Sequence, residues 1–466
     1  MSRFNNSIVI LILVLAVVVV LFAYAYIQKP HTHANIGSNW SEFTLNYNNS
    51  RYQQSSEINA SSVQHLRLAW VINTGNVTST PVVYDGNVFF GDFNGDLYSA
   101  NIMNGSINWK TNVGAAISST PDIYNGMVFI GYGPLGATDV SAFYIRNGSS
   151  VWNTRLNTTM NAIWASPTIY NGLLYTGVAS AGLDAIETNT SQKGALYALD
   201  VKSGKVDWVF NTSISNTGGA GVWGTVVVDP QTGSIYFGTG NPFGPGTNSL
   251  YSYSIMSLNA ETGRLNWFYN VYNSLSEGHD RDFGSTPNLF SYMDNGITYN
   301  AIGVGMKNGY YYVLDRKTGS FLGEYHVDNN QTVGSLGIVG LSGFVYMPNQ
   351  MEPELFIPSY NNGPNNGVVE ALFPSNGTVS WRFNTPKPIV GSVALVPGAV
   401  LFGDVGGNIY AVSQSSGDRL FHSMIPASID GGISVSGNYV LVPGSFGPAD
   451  ATGIYAFTPA FNASGI

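Results

Sequence analysis

The stretch that decides the fold is Leu196–Trp208, which reads Leu-Tyr-Ala-Leu-Asp-Val-Lys-Ser-Gly-Lys-Val-Asp-Trp. It begins as an alternating strand, turns at Ser203-Gly204, and places a tryptophan four residues after the glycine. Glycine tolerates the positive backbone angle of a tight hairpin turn. The stretch therefore predicts a β-hairpin whose Trp208 packs against a neighbouring structural unit, because a buried tryptophan ring covers about 150–250 Å².

The same turn recurs along the chain. Intact copies pair Gly105 with Trp109, Gly148 with Trp152, Gly204 with Trp208, Gly263 with Trp267, and Gly377 with Trp381. Two copies are degenerate, with Gly323 and Phe421 at the tryptophan position, and Trp70 stands at an equivalent place near the start. These eight positions lie 39 to 59 residues apart. Spacings of this size are typical of β-propeller blades, the longer ones with inserted loops.

Each repeat has room for four short antiparallel strands, since Pro-x-x-x-x-Gly hairpins such as Pro81 to Gly86 precede the turn. The last strand, 454–457, has no tryptophan partner, whereas 66–72 has a tryptophan without a preceding strand copy. The first strand is therefore expected to complete the last blade, which closes the ring and removes two sheet edges. Two stacked β-sandwich domains are the alternative, but they would not need one tryptophan per repeat.

The sequence thus predicts an all-β, eight-bladed β-propeller over 66–459, with an N-terminal arm at 28–65 and a tail at 460–466. Ile8 to Ile27 is an unbroken apolar run of twenty residues, which is the length of a transmembrane helix. We expect a single-pass anchor at 8–27 after a cytoplasmic 1–7, although Ala23-Tyr24-Ala25 leaves a cleaved signal peptide open. The propeller would then lie on the extracytoplasmic side of the cell membrane.

Composition narrows the function classes. The 466 residues carry a net charge of −9 and only 10% charged residues, which argues against a nucleic-acid partner because phosphate binding needs a basic surface. The low charge also suggests an acidic habitat. The chain has no cysteine, so disulfides, thiolate metal sites and covalent haem are excluded. Asn-x-Ser/Thr sites such as Asn39, Asn48 and Asn76 agree with an extracellular glycoprotein.

The opening, with Asn39-Trp40, Arg51-Tyr52 and Ala69-Trp70, and the repeated Leu-Asp-x-x-x-Gly-x-x-x-Trp turn resemble the PQQ-dependent (quinoprotein) alcohol dehydrogenases. The segments 218–223, 238–241 and 282–285 look most like the poly(vinyl alcohol) dehydrogenase-like branch. The resemblance implies PQQ and Ca²⁺ on the propeller axis and hydride transfer from a small alcohol or polyol to PQQ. Electrons would then pass to a separate acceptor, a quinone or a cytochrome.

The resemblance also implies site residues. Trp223 would form the floor under PQQ, although it could be another packing tryptophan. Asn241, in Gly-Thr-Gly-Asn-Pro, would be a Ca²⁺ ligand, with a plain Asn-Pro turn as the alternative. Asp282 would be the catalytic base and a further metal ligand; a charged surface loop is the alternative.

Lys307, with Asn308, would bind the reactive quinone oxygens, unless Lys307 is a solvent-exposed hairpin lysine. The expected acidic metal ligand is displaced, so that Asp184 or Glu187 could serve. The vicinal disulfide of the family is absent, and Ser118-Ser119 stands roughly in its place. These departures keep a second function open, a non-catalytic PQQ-repeat propeller that acts as a binding or scaffold protein in the cell envelope.

Overall fold

A computed structural model describes most of the chain after residue 38. The described ranges are 39–133, 138–160, 162–180, 191–213, 218–243, 250–271, 281–327, 337–348, 350–360 and 366–459. They contain 34 β-strands and one short 3-10 helix, Val63–His65. Within these ranges no helix has the length and apolarity needed to cross a membrane. The expected anchor at 8–27 lies outside the described residues.

Eight four-stranded antiparallel sheets make up the body, as the repeat predicts. Blade 1 contains β2 (Val82–Tyr84), β3 (Asn87–Gly91), β4 (Asp96–Asn101) and β5 (Ile107–Asn112). Blade 2 contains β6 (Asp122–Tyr124), β7 (Met127–Tyr132), β8 (Asp139–Tyr144) and β9 (Ser150–Arg155). Blade 3 contains β10 (Thr168–Tyr170), β11 (Leu173–Val178), β12 (Ala195–Asp200) and β13 (Val206–Asn211). Blade 4 contains β15 (Val227–Asp229), β16 (Ser234–Gly238), β18 (Ser254–Asn259) and β19 (Leu265–Asn270).

The second half of the ring repeats the plan. Blade 5 contains β20 (Asn288–Asp294), β21 (Ile297–Gly305), β22 (Tyr310–Asp315) and β23 (Phe321–His326). Blade 6 contains β24 (Gly343–Val345), β25 (Glu354–Ser359), β26 (Gly367–Leu372) and β27 (Val379–Thr385). Blade 7 contains β28 (Ala394–Val396), β29 (Ala399–Gly403), β30 (Asn408–Ser413) and β31 (Arg419–Met424). A separate two-stranded ribbon joins β14 (Gly218–Gly219) to β17 (Pro242–Phe243).

Blade 8 closes the ring with strands from both ends of the described chain. Its members are β32 (Ser434–Ser436), β33 (Tyr439–Gly444), β34 (Gly453–Pro459) and β1 (Leu66–Asn73). β1 pairs with β34 in antiparallel register, Leu66 opposite Pro459. The prediction that the first strand completes the last blade is confirmed, and the ring has no gap at this point that would leave unpaired sheet edges.

The repeated tryptophans fasten six of the eight blades to the next one. Their indole N–H groups donate to backbone carbonyls of the following blade: Trp70 to Ile102, Trp109 to Ile145, Trp152 to Val201, Trp208 to Ala260, Trp267 to Arg316, and Trp381 to Gln414. In blade 5, where Gly323 replaces the tryptophan, Tyr325 takes over this role and donates its hydroxyl to the carbonyl of Pro374.

The turn glycine serves two purposes at this contact. Gly148 has a φ of +66°, and a Cβ there would lie only 2.4 Å from Cε3 of Trp109 in the preceding blade. An L-residue would therefore meet both backbone strain and a steric clash. This explains why the glycine and the tryptophan recur together in the sequence.

The N-terminal arm contacts the innermost strand of every blade in turn. Its partners are Val83 for Trp40, Ile123 for Ser41, Ile169 and Val228 for Tyr47, Leu289 for Asn48, Phe344 for Ser50, Leu395 for Arg51, and Val435 for Gln53. Since these strands surround the axis, the arm circles it and covers one end. Arg51 is fully buried there and donates to the carbonyls of Phe43, Val393 and Ile433.

Candidate active site

A belt of small hydroxyl side chains surrounds much of the axis just before the innermost strands. The backbone N–H of Thr80 donates to Oγ1 of Thr120 at 2.9 Å, and that of Thr120 donates to Oγ of Ser166 at 2.9 Å. The series continues from Ser166 to Thr225 at 3.0 Å and from Thr225 to Thr286 at 3.1 Å. These bonds hold neighbouring blades at a fixed spacing and leave room on the axis because the side chains are short.

A cavity of about 450 Å³ lies on the axis, and one lining residue of each blade stands at a constant sequence offset from the belt. Leu341 and Gly432 stand at the belt position of blades 6 and 8, where the hydroxyl is missing. In every blade the residue two places before this position lines the cavity; in blade order these are Thr78, Ser118, Trp164, Trp223, Gly284, Val339, Val390 and Asp430. We refer to these eight residues as the cavity ring. Residues from eight separate repeats therefore meet in one chamber.

Trp223, Asp282 and Lys307 form a compact cluster in this cavity. The indole Nε1 of Trp223 donates to Oδ2 of Asp282 at 2.7 Å. The ammonium of Lys307 lies 2.9 Å from Oδ1 of Asp282, and it sits 4.6 Å from the centroid of the Trp223 ring. The Asp282 side chain is 1% exposed and that of Lys307 is 10% exposed. A buried carboxylate needs charged or hydrogen-bonding partners of this kind.

Local structure fixes the three side chains. A Cβ at Gly284 would lie 2.2 Å from Cη2 of Trp223, so the glycine allows the indole to lie directly against the segment that carries Asp282. The backbone N–H of Lys307 donates to the carbonyl of Asp282 at 3.0 Å. Phe283, which stands between Asp282 and Gly284 in the sequence, is fully buried and packs edge-on against Tyr312.

Two other predicted residues lie nearby but outside the cavity lining. Asn241 is buried, and its Oδ1 accepts the backbone N–H of Arg281 at 3.2 Å, next to Asp282 in the chain. The side chain of Asn308 makes local hydrogen bonds within its own hairpin: Nδ2 donates to the hydroxyl of Tyr312, and Oδ1 accepts the backbone N–H of Tyr310. Asn308 does not line the cavity, and its contact with the quinone oxygens stays a prediction.

The remaining predicted metal ligands, Asp184 and Glu187, lie outside the described residues. Among the residues that the structure describes, no group of three or more histidine, cysteine, aspartate or glutamate side chains is placed to hold a metal ion. Of the predicted ligands, Asn241 and Asp282 lie in the described part of the chain, and Ca²⁺ takes six to eight oxygen ligands in all.

The sequence prediction missed two cavity residues, Trp164 and Asp430, and named a third, Ser118, only as part of the pair that stands in place of the family's vicinal disulfide. Trp164 lines the cavity and donates its indole N–H to the carbonyl of Ser180 at 2.8 Å. Asp430 also lines it and accepts the hydroxyl of Ser445. Ser118 faces the cavity, whereas its neighbour Ser119 is fully buried and donates to the carbonyl of Gly131. The signal that identifies all of them is the position two residues before the belt.

Comparison with known proteins shows which families the chain is similar to. The sequence profile described as "Glucose/ethanol/alcohol dehydrogenase, beta-propeller domain", under the heading PQQ, matches residues 159–328. The quinoprotein alcohol dehydrogenase PedH of Pseudomonas putida is 26% identical over 432 residues, which cover 75% of this chain and 66% of the relative. The chain is similar to the PQQ-dependent alcohol dehydrogenases. The similarity implies PQQ and Ca²⁺ as cofactors.

Further quinoprotein relatives agree with this resemblance. The polyvinylalcohol dehydrogenase of a Pseudomonas species is 24% identical, over 82% of this chain and 67% of the relative. The dehydrogenase subunit of an alcohol dehydrogenase (quinone) from Gluconacetobacter polyoxogenes is 25% identical, over 82% and 68%. The chain thus spans about two thirds of the length of these quinoprotein relatives.

Among solved structures, the quinohemoprotein alcohol dehydrogenase of Comamonas testosteroni superposes with a TM-score of 0.76 at 18% identity, over 92% of this chain and 81% of that one. This likeness shows a shared β-propeller fold.

The cavity fits PQQ in chemical character. PQQ is planar and anionic, and the cavity offers the aromatic rings of Trp223 and Trp164, the ammonium of Lys307 and the hydroxyl groups of Ser118 and Thr225. Lys307 lies over one face of the Trp223 ring. A planar molecule that stacks on this face must displace the ammonium.

Proposed function

We propose that the chain is a membrane-anchored, extracytoplasmic alcohol dehydrogenase that uses PQQ and Ca²⁺. The observation that carries the proposal is the carboxylate of Asp282, which is buried in the axial cavity and oriented by Trp223 and Lys307. A structural ion pair would not need to stand in a chamber assembled from all eight blades. Clustered, partly desolvated charges in a cleft are typical of catalytic sites.

The roles of the three residues follow from their chemistry. PQQ, when bound, supplies the acceptor for the hydride of the alcohol. Asp282 accepts the hydroxyl proton, since its carboxylate is the acidic group in direct contact with both Trp223 and Lys307. The indole N–H of Trp223 restrains this carboxylate at 2.7 Å. Lys307 provides a positive charge for oxygen atoms that become negative during the reaction.

Calcium would be held beside this cluster. Asn241 and Asp282 are the described candidates for its oxygen ligands, and Asp184 or Glu187 is the proposed acidic ligand that completes the set. Such a cation would also stabilise the carboxylate form of Asp282. The proposal includes the anchor at 8–27, glycosylation of the outer domain, and a separate quinone or cytochrome as the electron acceptor.

Reconstitution tests this function. The purified full chain is mixed with PQQ and CaCl₂, cofactor binding is followed by tryptophan fluorescence, and oxidation of 1-butanol is followed with an artificial electron-accepting dye. We expect Ca²⁺-dependent binding at micromolar PQQ or below, followed by dye reduction. Replacing Trp223 by Phe should weaken binding, whereas Trp208→Phe, which alters a blade contact outside the cavity, should not.

The absence of cysteine supports the alternative function, since the disulfide expected beside PQQ cannot form. A folded chain that binds no PQQ at micromolar concentration, with or without Ca²⁺, would eliminate the enzyme proposal. The binding or scaffold propeller would then be the better description.

A further inference from the structure

An exposed and strained aromatic residue stands at the cavity mouth. Phe446 is 61% exposed and has a φ of +42°. It contacts Phe93 edge-to-face, with ring centroids 6.0 Å apart, and both residues line the axial cavity. Non-glycine residues rarely adopt positive φ, and such a conformation is strained. Strain of this kind is concentrated at binding and catalytic sites.

One asparagine holds both phenylalanines in place. The backbone N–H of Phe93 donates to the carbonyl of Asn76 at 3.0 Å, and that of Phe446 donates to Oδ1 of the same residue at 2.8 Å. The half-buried Asn76 thus connects the loop of blade 8 to blade 1. The two rings, which we call the aromatic rim, form a fixed surface of the cavity.

The position of the rim relative to the charged cluster follows from the blade order. In a ring of eight, blade 1 faces blade 5 and blade 8 faces blade 4. Phe93 and Phe446 therefore lie across the axis from Asp282 and Trp223. A molecule whose hydroxyl reaches Asp282 extends its other end toward the rim.

The wall between these two places is largely apolar. Val339 and Leu341 of blade 6 and Val390 of blade 7 line the cavity on the path from blade 5 to blade 8. Asp430 is the acidic group on the rim side, and its carboxylate accepts the hydroxyl of Ser445. An alkyl or aryl group would gain contact with this wall, whereas further hydroxyl groups would be desolvated beside it.

We infer that the aromatic rim selects alcohols that carry an apolar group of several carbons over ethanol and over polyols. The inference rests on the proposed function for the position of the reacting hydroxyl. Its physical basis is the exposed ring of Phe446 and the half-buried ring of Phe93, both of which line the cavity. Phe93 and Phe446 are thereby assigned as specificity residues.

Kinetics with a series of alcohols test the inference. The full chain, loaded with PQQ and Ca²⁺, is assayed for kcat/KM with ethanol, 1-butanol, 1-hexanol and 1,3-butanediol. We expect a rise of about fourfold for each methylene that contacts the rim or the apolar wall. In Phe446→Ala and Phe93→Ala, the ratio of hexanol to ethanol should fall at least tenfold.

The matched control is Phe321→Ala, which removes an exposed ring of blade 5 that stacks on Tyr269 outside the cavity. It should leave the ratio unchanged. A wild-type ratio near one, a preference for 1,3-butanediol over 1-butanol, or a ratio that neither rim variant alters would overturn the inference.

A binding measurement separates this inference from the proposed reaction. Saturation-transfer NMR detects 1-hexanol and ethanol on the full chain without any turnover. If no alcohol is oxidised but hexanol binds and Phe446→Ala weakens this binding tenfold, the rim stands and the proposed reaction fails. If hexanol binds no better than ethanol, the rim assignment is wrong even where ethanol is oxidised.

Discussion

The indole nitrogen of Trp223 lies 2.7 Å from Oδ2 of Asp282 and donates a hydrogen bond to it. The two residues are 59 positions apart and belong to the entry segments of blades 4 and 5. Trp223, the candidate cofactor floor, and Asp282, the candidate base, are therefore held in a fixed relative position by this hydrogen bond. Any change in the charge of the carboxylate acts directly on the tryptophan that would contact PQQ.

Replacing Asp282 with Asn should abolish alcohol oxidation while the propeller stays folded. Asparagine keeps the size and still accepts from Trp223, but it cannot take the hydroxyl proton. We expect kcat to fall about 10²–10⁴-fold, with PQQ binding retained in fluorescence titrations. The control is Glu370→Gln, which alters a buried, ion-paired carboxylate of blade 6 outside the cavity. More than a tenth of wild-type activity in Asp282→Asn would contradict the assigned role.

Removing the ammonium of Lys307 should destabilise the fold by leaving part of the Asp282 charge unmatched. Loss of one partner from a buried pair typically costs about 3–5 kcal/mol, so Lys307→Met should unfold at lower urea concentration. The double variant with Asp282→Asn should recover much of this loss, because no unpaired charge remains. Additive effects of the two substitutions on the free energy of unfolding would show that the pair is not coupled.

The fold could be predicted because each blade repeats its own local signal. The strand, the turn glycine and the tryptophan all fall within one stretch of thirteen residues, such as Leu196–Trp208. The close approach of Gly148 to Trp109 explains why the glycine and the tryptophan recur together. Tyr325 could not be predicted in the same way, because it substitutes for the missing tryptophan from a position two residues further along the strand.

The site was only partly predictable from the sequence. The resemblance to the PQQ-dependent alcohol dehydrogenases pointed to Trp223 and Asp282, and the structure brings them together with Lys307. Asn308 was assigned to the cavity from its neighbour, but its amide is used by the turn. Trp164 and Asp430 were missed, since the register of the cavity ring becomes visible only when the hydroxyl belt aligns the blades.

Two glycines of blade 2 allow the contribution of the blade-to-blade contact to the free energy of unfolding to be separated from that of backbone strain in the turn. Gly126 has a φ of +75° and no atom within 4 Å of an added Cβ, whereas Gly148 has a φ of +66° and Trp109 at 2.4 Å. Gly126→Ala should cost about 1 kcal/mol from the backbone alone. Gly148→Ala should cost several kcal/mol more in urea unfolding. Equal losses of unfolding free energy in the two variants would mean that Trp109 moves aside at no energetic cost.

The N-terminal arm should make the protein more stable in mild acid. Burial raises the pKa of Glu42 to about 7, and burial together with the charge of Glu42 raises the pKa of Asp122 on blade 2. The folded arm therefore favours the protonated acids, and this stabilisation is complete below the ordinary pKa of about 4.5. It is lost as the pH rises toward 7, by about 3 kcal/mol for Glu42.

Urea unfolding of the full chain at several values between pH 4.5 and pH 8 measures this dependence. In Glu42→Gln the decline should be shallower than in the wild type, because glutamine stays neutral throughout and the charge that opposes ionisation of Asp122 is gone. Glu57→Gln, which alters an exposed glutamate of the same arm, is the matched control and should keep the wild-type profile. If Glu42→Gln and the wild type lose stability in parallel, then Glu42 ionises without cost in the folded arm, and the decline must come from other buried acids such as Asp404, whose pKa is also raised by burial.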